Sequence, residues 1–209
     1  MIQDFAKKIA WLGHDAFRIE TGKIIYFDPY EISSGPKADI ILVSHDHFDH
    51  CSPGDVEKLR GQDTVIVTEK SSAKKLTGDV RVIRPGESLT LDGVRIEAVP
   101  SYNMDKNFHP KQNAWLGFIV ETDGIRIYHA GDTDFIPEMK DFDADIALLP
   151  VSGTYVMSAD EAVKSALAIQ PKLAIPMHYG SIVGKEQDAI QFKKALEGKI
   201  EVMILPKSC

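Results

Sequence analysis

The sequence predicts a layered α/β protein in which mixed β-sheets are flanked by helices. Short runs rich in Ile and Val, bounded by Gly, Pro or Asp, recur along the chain as β-strands do. The early runs follow one another as in hairpins, whereas the later runs alternate with helical segments, which is the order expected of packed sheet and helix layers. With 44% hydrophobic and 26% charged residues, the chain has enough apolar side chains for a sizeable core.

The predicted strands can be given in chain order. They are Lys8–Leu12, Ala16–Glu20, Lys23–Phe27, Asp39–Val43, Thr64–Thr68, Val80–Ile83, Val94–Val99, Leu116–Glu121, Ile125–His129, Asp145–Leu149, Leu173–Pro176 and Ile200–Leu205. Thr122-Asp123-Gly124 lies between two of these runs and predicts a hairpin turn. The runs Ala38–Val43 and Ala144–Leu149 resemble each other. Either the chain contains a duplication or, as we favour, buried strands share near-continuous apolar sequences.

Helices are predicted between the strands from their capping residues. One begins after Ser52, which is followed by Pro at the first helical position, and stops at Gly61. Another begins at Ser158, whose spacing to Glu161 is that of a capping box. The last covers Glu186–Glu197 and is followed by Gly.

Length and charge exclude several classes of protein. We expect 209 residues to form one domain, 1–209. A net charge of −7 disfavours a nucleic-acid partner, since such binding requires clustered Lys and Arg. The N-terminal residues contain no signal-peptide core and no apolar run reaches about 18 residues, so we expect a cytoplasmic protein without a membrane segment. Two isolated cysteines, Cys51 and Cys209, do not make a disulfide framework.

The histidines are concentrated in one segment. Three of the seven lie between Ser44 and His50, directly after an apolar strand. In an extended chain His45 and His47 point to the same side, so they can bind one cation together, and Asp49 and His50 can reach a second cation after the chain turns. Imidazole and carboxylate suit Zn²⁺. The alternative is a solvated polar loop, which the coincidence of ligand types after a buried strand makes the weaker interpretation.

Two further strands end in residues of the same kind. Asp132 follows the strand Ile125–His129 across Gly131, and His178 follows the strand Leu173–Pro176. A turn aspartate and a packed histidine are the alternatives at each position alone. Because α/β proteins build their sites at the carboxyl ends of strands, one shared site explains all three segments better.

Three motifs carry a resemblance to a known family: His45-x-His47-x-Asp49-His50, then Gly131-Asp132, then His178. Together they resemble the metallo-β-lactamase superfamily. Within it, Trp11–Phe17 and Phe27-Asp28-Pro29 resemble the compact, lactonase-like branch, which includes uncharacterised metal-dependent hydrolases and L-ascorbate-6-phosphate lactonase. The match covers residues 9–205.

The resemblance implies a four-layer αβ/βα sandwich of two mixed sheets, with a dinuclear metal site on one edge. By position, His45 and His47 hold the first ion, Asp49, His50 and His178 hold the second, and Asp132 bridges them. Zn²⁺ is the expected ion, with Mn²⁺ or Fe²⁺ as alternatives.

One position departs from the family pattern. Many relatives place a further histidine for the first ion after the strand that corresponds to Val94–Val99, but here Asn103 stands near that place. Either His109 substitutes for it, or Asn103 and water leave the first ion weakly held. We favour His109, because imidazole binds Zn²⁺ better than an amide does.

Other residues in the family motifs have less certain roles. His14 and His129 either orient ligands and move protons or are packed structural residues, and Asp49, His14 and His129 are the candidates for protonating the leaving group. Asp28 either accepts a hydrogen bond from a ligand histidine or is an ordinary strand-end residue. Cys51 adjoins the ligand loop and is either a metal-ligating thiolate or, as we favour, a buried bystander.

The predicted function is metal-assisted hydrolysis of a small, anionic lactone or phosphoester, with a water activated between two divalent ions. The segment Tyr102–Ala114, with Lys106 and Lys111, is a candidate substrate-contacting loop or else a surface turn. The alternatives are a small-phosphodiester or nucleic-acid-processing phosphodiesterase and a non-catalytic metal- or ligand-binding protein. His47 argues against a redox di-iron protein, and no segment resembles Gly-His-Thr-Pro-Gly-His of β-lactamases and glyoxalases. Homo-oligomer formation stays open.

Overall fold

The computed structural model describes residues 2–208, so Cys209 and the two ends of the predicted domain 1–209 lie outside the described residues. One sheet contains, in spatial order, β1 (Ile9–Gly13), β2 (Ala16–Glu20), β3 (Ile24–Phe27), β4 (Ala38–Val43), β5 (Arg60–Thr68) and β6 (Asp79–Val82). The other contains β7 (Ser88–Leu91), β8 (Val94–Pro100), β9 (Leu116–Thr122), β10 (Ile125–His129), β11 (Ile146–Pro150), β12 (Leu173–Met177) and β13 (Glu201–Val202).

Each sheet combines an antiparallel part with a parallel part. The strands β1–β3 and β7–β10 are antiparallel, and the remaining strands of each sheet join in parallel. The two similar runs noted in the sequence, in β4 and β11, are each the first parallel strand after the antiparallel part. Both sheets are therefore mixed, as predicted.

Helices flank the two sheets. They are α1 (Ile2–Ala6), α2 (Pro53–Leu59), α3 (Lys70–Ala73), α4 (Ala159–Ile169) and α5 (Glu186–Ala195), with short 3-10 helices at Lys111–Asn113 and Pro137–Asp141. Ser158 and Glu161 form the predicted capping box of α4. Within residues 2–208, no helix combines the length and the apolar character that crossing a membrane requires.

The core confirms the layered arrangement. In β4, Ile40 and Leu42 pack in the core between the sheets, whereas Ile41 and Val43 pack in a second core beneath α2. This alternation follows from the period of two residues in a strand, and it explains why the strand is apolar throughout. The order of layers is thus helix, sheet, sheet, helix, and the predicted fold class is correct.

Several predicted boundaries were wrong, among them the start of the strand predicted as Thr64–Thr68, which begins at Arg60. The first predicted helix ends at Leu59, and Gly61 belongs to β5 rather than terminating the helix. The last predicted strand, Ile200–Leu205, is a strand only at Glu201–Val202. The last helix ends at Ala195, two residues before the predicted Glu197. The hairpin turn at Asp123-Gly124 is present, with both residues at positive φ (51° and 71°).

Candidate metal centre

The carboxyl ends of strands from both sheets deliver the polar side chains of the candidate site. His14 follows β1, Asp28 follows β3 and the segment beginning at His45 follows β4. From the other sheet, Asp132 follows β10 and His178 follows β12. The candidate site is thus assembled from segments that are far apart in sequence, as expected at strand ends.

The side chains converge into two groups, each with its ligand-type atoms within 4.8 Å of one another. The first group contains His45, His47, His109 and Asp132. The second group contains His14, Asp49, His50 and His178. Every residue that the sequence predicted as a metal ligand lies in one of these groups, and His109, rather than Asn103, joins His45 and His47.

The carboxylate of Asp132 lies between the two groups. Its Oδ1 atom is 3.3 Å from Nε2 of both His50 and His178. Its Oδ2 atom is 3.1 Å from Nε2 of His109 and 3.9 Å from Nε2 of His45. A carboxylate in this place can contribute one oxygen to each group.

Most of the histidines direct Nε2 toward the interior of the two groups and Nδ1 away from it. The Nδ1 atoms have partners on the outside: Ser44 Oγ at 2.9 Å for His45, Asp28 Oδ2 at 2.8 Å for His50 and Ser152 Oγ at 2.9 Å for His178. Asp28 is held in place by the amide and hydroxyl groups of Ser44, which donate to it. Outer hydrogen bonds of this kind fix the orientation of a metal-binding imidazole and leave Nε2 free.

Several buried atoms at the centre have no hydrogen-bond partner among the described residues. They are Nε2 of His50, His109 and His178, and Oδ1 of Asp132. Leaving a buried polar group unsatisfied costs about 1–3 kcal/mol. A divalent cation in each group would satisfy these atoms with the nitrogen and oxygen ligands that Zn²⁺ prefers, so the side chains fit a metal centre.

Burial and neighbouring charges set the ionisation of the two groups. Burial lowers the pKa of His45 well below its ordinary value, and the charge of His50 lowers it further. Burial also lowers the pKa of His47, and so does the neighbouring His109. Both residues are thus held as neutral imidazoles, the form that binds a metal.

The charge of Asp132 is the main influence that favours the protonated forms of His50 and His178. Burial alone would raise the pKa of Asp132, but His178 and His50 outweigh burial and lower the pKa well below its usual range. Burial likewise opposes the charged forms of His50 and His178, yet Asp132 and Asp28 raise the pKa of His50, and Asp132 and Asp15 raise the pKa of His178. Without a metal, protonated histidines compensate the buried carboxylate.

His14 and Asp49 form a pair at the exposed side of the second group. His14 Nε2 lies 3.2 Å from Asp49 Oδ2, and the side chain of Asp49 is 13% exposed. Burial lowers the pKa of His14 against the effect of Asp49. Burial raises the pKa of Asp49, but the hydrogen bond from His14 and the charge of His50 outweigh it and lower the pKa.

His129 lies behind the site. Its Nε2 donates to the carbonyl of Asp15 (2.8 Å), its Nδ1 accepts from the amide of Gly131 (3.3 Å), and its ring stacks on Phe27 at 4.9 Å. It belongs to neither group, and both nitrogens are already used. These contacts give His129 a packing position rather than access to a substrate.

Sequence reasoning missed two residues beside the groups. Asp15 is fully buried next to His14, its carboxylate has no hydrogen-bond partner in the described chain, and burial raises its pKa well above the ordinary value. Ser152 follows β11, so the same strand-end rule could have found it. Cys51 is buried outside both groups, and burial raises its pKa to about 11, so its thiol stays protonated.

A two-sheet sandwich that gathers histidines and aspartates from separate strands at one edge has the residues of a metal-binding protein. The comparisons identify the family. A family model described as a beta-lactamase superfamily domain matches residues 8–178. The chain belongs to this family, the metallo-β-lactamase superfamily, as its sequence motifs predicted, and it is a metal-dependent hydrolase.

Individual relatives agree with this assignment. A UPF0173 metal-dependent hydrolase from Thermococcus kodakarensis is 36% identical, over 95% of this chain and 96% of that protein. A structure from Parabacteroides distasonis, provisionally named a metal-dependent hydrolase, has 37% identity and a TM-score of 0.85, covering 94% of this chain and 91% of that one. The metallo hydrolase Igni18 from Ignicoccus hospitalis shares the fold, with a TM-score of 0.80 at 24% identity over 96% of this chain and 95% of that one.

Proposed function

We propose that this chain hydrolyses a small anionic lactone or phosphoester at a dinuclear metal centre. The observation that carries the proposal is the pair of four-residue groups, in which the buried carboxylate of Asp132 belongs to the first and also faces His50 and His178 of the second. When bound, two divalent cations would lower the pKa of a water molecule and polarise the attacked oxygen.

The proposal assigns a role to each member of the two groups. His45, His47 and His109 would hold the first ion, Asp49, His50 and His178 would hold the second with His14 beside them, and Asp132 would serve both. Zn²⁺ is the expected ion because borderline divalent metals suit mixed imidazole and carboxylate ligands, and Mn²⁺ or Fe²⁺ are the alternatives.

Asp49 and His14 are the proposed proton-transfer pair. The lowered pKa of Asp49 keeps it a carboxylate near neutral pH, so it can accept a proton from an incoming water molecule. Because His14 Nε2 is the donor in its hydrogen bond with Asp49, either Asp49 returns the proton to the leaving group, or His14 gives its own proton to the leaving group and receives the one that Asp49 took from water. His129 takes no part, because its ring nitrogens bond to the backbone.

The proposed substrate class follows from charge. Two divalent ions exceed the negative charge of Asp49 and Asp132, so the centre carries local positive charge in a chain of net charge −7. Such a site favours a small anion, whereas the overall charge disfavours a nucleic-acid strand. We place this activity in the cytoplasm and in a single domain, as the composition suggests.

The variant His47→Ala tests the proposal, because it removes a first-ion ligand that is only partly buried and whose loss disturbs the core little. We expect loss of tight binding of one ion and loss of turnover, measured by elemental analysis and by a panel of chromogenic lactones, phosphodiesters and thioesters. Gln62→Ala, an exposed position toward the amino end of β5, is the control and should behave as wild type. Full turnover by His47→Ala would refute the proposed centre, and cleavage of oligonucleotides alone would favour the phosphodiesterase alternative.

A further inference from the structure

We infer that Asn103 is a positioning residue that fixes the tautomer of His109, and that Asp134 holds Asn103 in the required orientation. This inference rests on the proposed role of His109 as a ligand. It gives the unexpected Asn103 a function other than metal binding.

Asn103 and His109 are joined at both the backbone and the side chain. The Oδ1 atom of Asn103 accepts from the backbone amide of His109 (2.9 Å) and lies 3.1 Å from His109 Nδ1. The amide of Asn103 in turn donates to the carbonyl of His109 at 2.7 Å. Because a side-chain carbonyl oxygen is only an acceptor, this contact places a proton on Nδ1. In that tautomer the lone pair of the buried Nε2 is directed into the first group, where the atom lies 3.1 Å from Asp132 Oδ2.

The amide of Asn103 has only one satisfactory orientation. Its Nδ2 atom donates to Asp134 Oδ1 at 3.1 Å and to the carbonyl of Tyr155 at 2.9 Å. Both partners are acceptors, whereas both groups that meet Oδ1 are donors. If the side-chain amide were flipped, its oxygen would face two acceptors and its nitrogen would face two donors. The hydrogen-bond network therefore determines which side-chain atom of Asn103 is oxygen and which is nitrogen.

Asp134 anchors this arrangement from the segment that carries Asp132. It is 1% exposed, and its carboxylate also accepts from the amide of Met104 (2.8 Å) and from Nζ of Lys106 (2.6 Å). One segment after β10 therefore supplies both the carboxylate between the two groups and the anchor for the loop that bears His109. The geometry of the first group depends on this link.

The network predicts that Asn103→Asp impairs the first ion selectively. The variant keeps the size and the acceptor that faces His109, but it sets a second oxygen against Asp134 and the carbonyl of Tyr155. We expect the affinity for one of two ions to fall about 10- to 100-fold, with the other unchanged. The double variant Asn103→Asp/Asp134→Asn exchanges donor and acceptor and should recover part of the loss. Asn107→Asp, an exposed position in the same loop, is the matched control.

The test measures Zn²⁺ affinity by competition with a chromogenic chelator, and locates the His109 ring proton by long-range ¹H–¹⁵N spectra of the zinc-loaded wild-type protein. A proton on Nδ1 and the selective loss in Asn103→Asp are the expected results. A proton on Nε2, or unchanged affinity for both ions in Asn103→Asp, would overturn the inference. If Asn103→Asp does not fold, the ring proton of the wild type decides. Neither readout uses a substrate, so an inactive protein that binds two ions would refute the proposed activity and not this inference.

Discussion

Replacing Asp132 by Asn is expected to lower kcat/KM by about 10³-fold or more and to release tightly bound metal. The change keeps the shape of the side chain but removes its charge and one acceptor oxygen. Both oxygens face histidines, because Oδ1 lies 3.3 Å from Nε2 of His50 and Oδ2 lies 3.1 Å from Nε2 of His109. Turnover of the best substrate in the panel and elemental analysis measure the effect. Asp145→Asn, the same change just before the start of β11, is the matched control.

Asp132→Asn should also change how the stability of the metal-free protein depends on pH. Asp132 is the largest contribution that raises the pKa of His50 and His178, so both pKa values should fall when its charge is removed. A histidine whose pKa is raised by folding stabilises the folded state at pH values below its pKa in the unfolded chain, which is about 6.5. This stabilisation is lost as the pH rises through the pKa of the histidine in the folded protein. Asp132→Asn should therefore lose stability on the acidic side relative to wild type. Retention of two ions with full turnover would contradict the assigned position of Asp132.

Replacing Gly131 by Ala is expected to destabilise the metal-free protein by about 3 kcal/mol and to weaken metal binding. Gly131 has a φ of 59°, and an added Cβ would lie 2.7 Å from the carbonyl oxygen of Leu116 and 3.1 Å from Cβ of Ser44. Because Leu116 also donates its amide to the carbonyl of Ser44, this backbone cannot easily retreat. The shift would displace Asp132, the next residue.

Gly124→Ala is the control for this effect. It also has a positive φ, of 71°, but nothing lies within 4 Å of an added Cβ, so only conformational strain of about 1 kcal/mol is expected. Denaturant unfolding measures the loss in free energy of unfolding for each variant. Equal losses would mean that the close approach of the Leu116 carbonyl to Gly131 does not destabilise Gly131→Ala.

The sequence predicted the fold well where strand patterns are local. The main errors in the predicted strands arise from contacts between distant parts of the chain or from a turn that was overlooked. The segment after Val202 leaves the edge of one sheet and reaches the other, where Lys207 pairs with Trp11, so the apolar run to Leu205 is not a continuous strand. β7 was missed although Asp92-Gly93, with both residues at positive φ, is the same turn signal as Asp123-Gly124.

The candidate ligands were predictable because most lie in segments that begin at the end of an apolar strand. The network around His109 was not, because it depends on the path of an irregular loop and on Asp134, whose side chain meets Asn103 only in the folded chain. The convergence of His14 with the second group likewise requires a left-handed backbone at a non-glycine residue (φ 51°), which no local pattern indicates.

We propose that distant histidines and aspartates enclose a pair of metal ions. Anomalous scattering at the metal edge, recorded from crystals of the metal-loaded wild-type protein, would locate these ions. Two peaks are expected, one contacted by His45, His47 and His109 and the other by Asp49, His50 and His178, with Asp132 beside both. A single peak held by other residues, or no peak after loading, would contradict it.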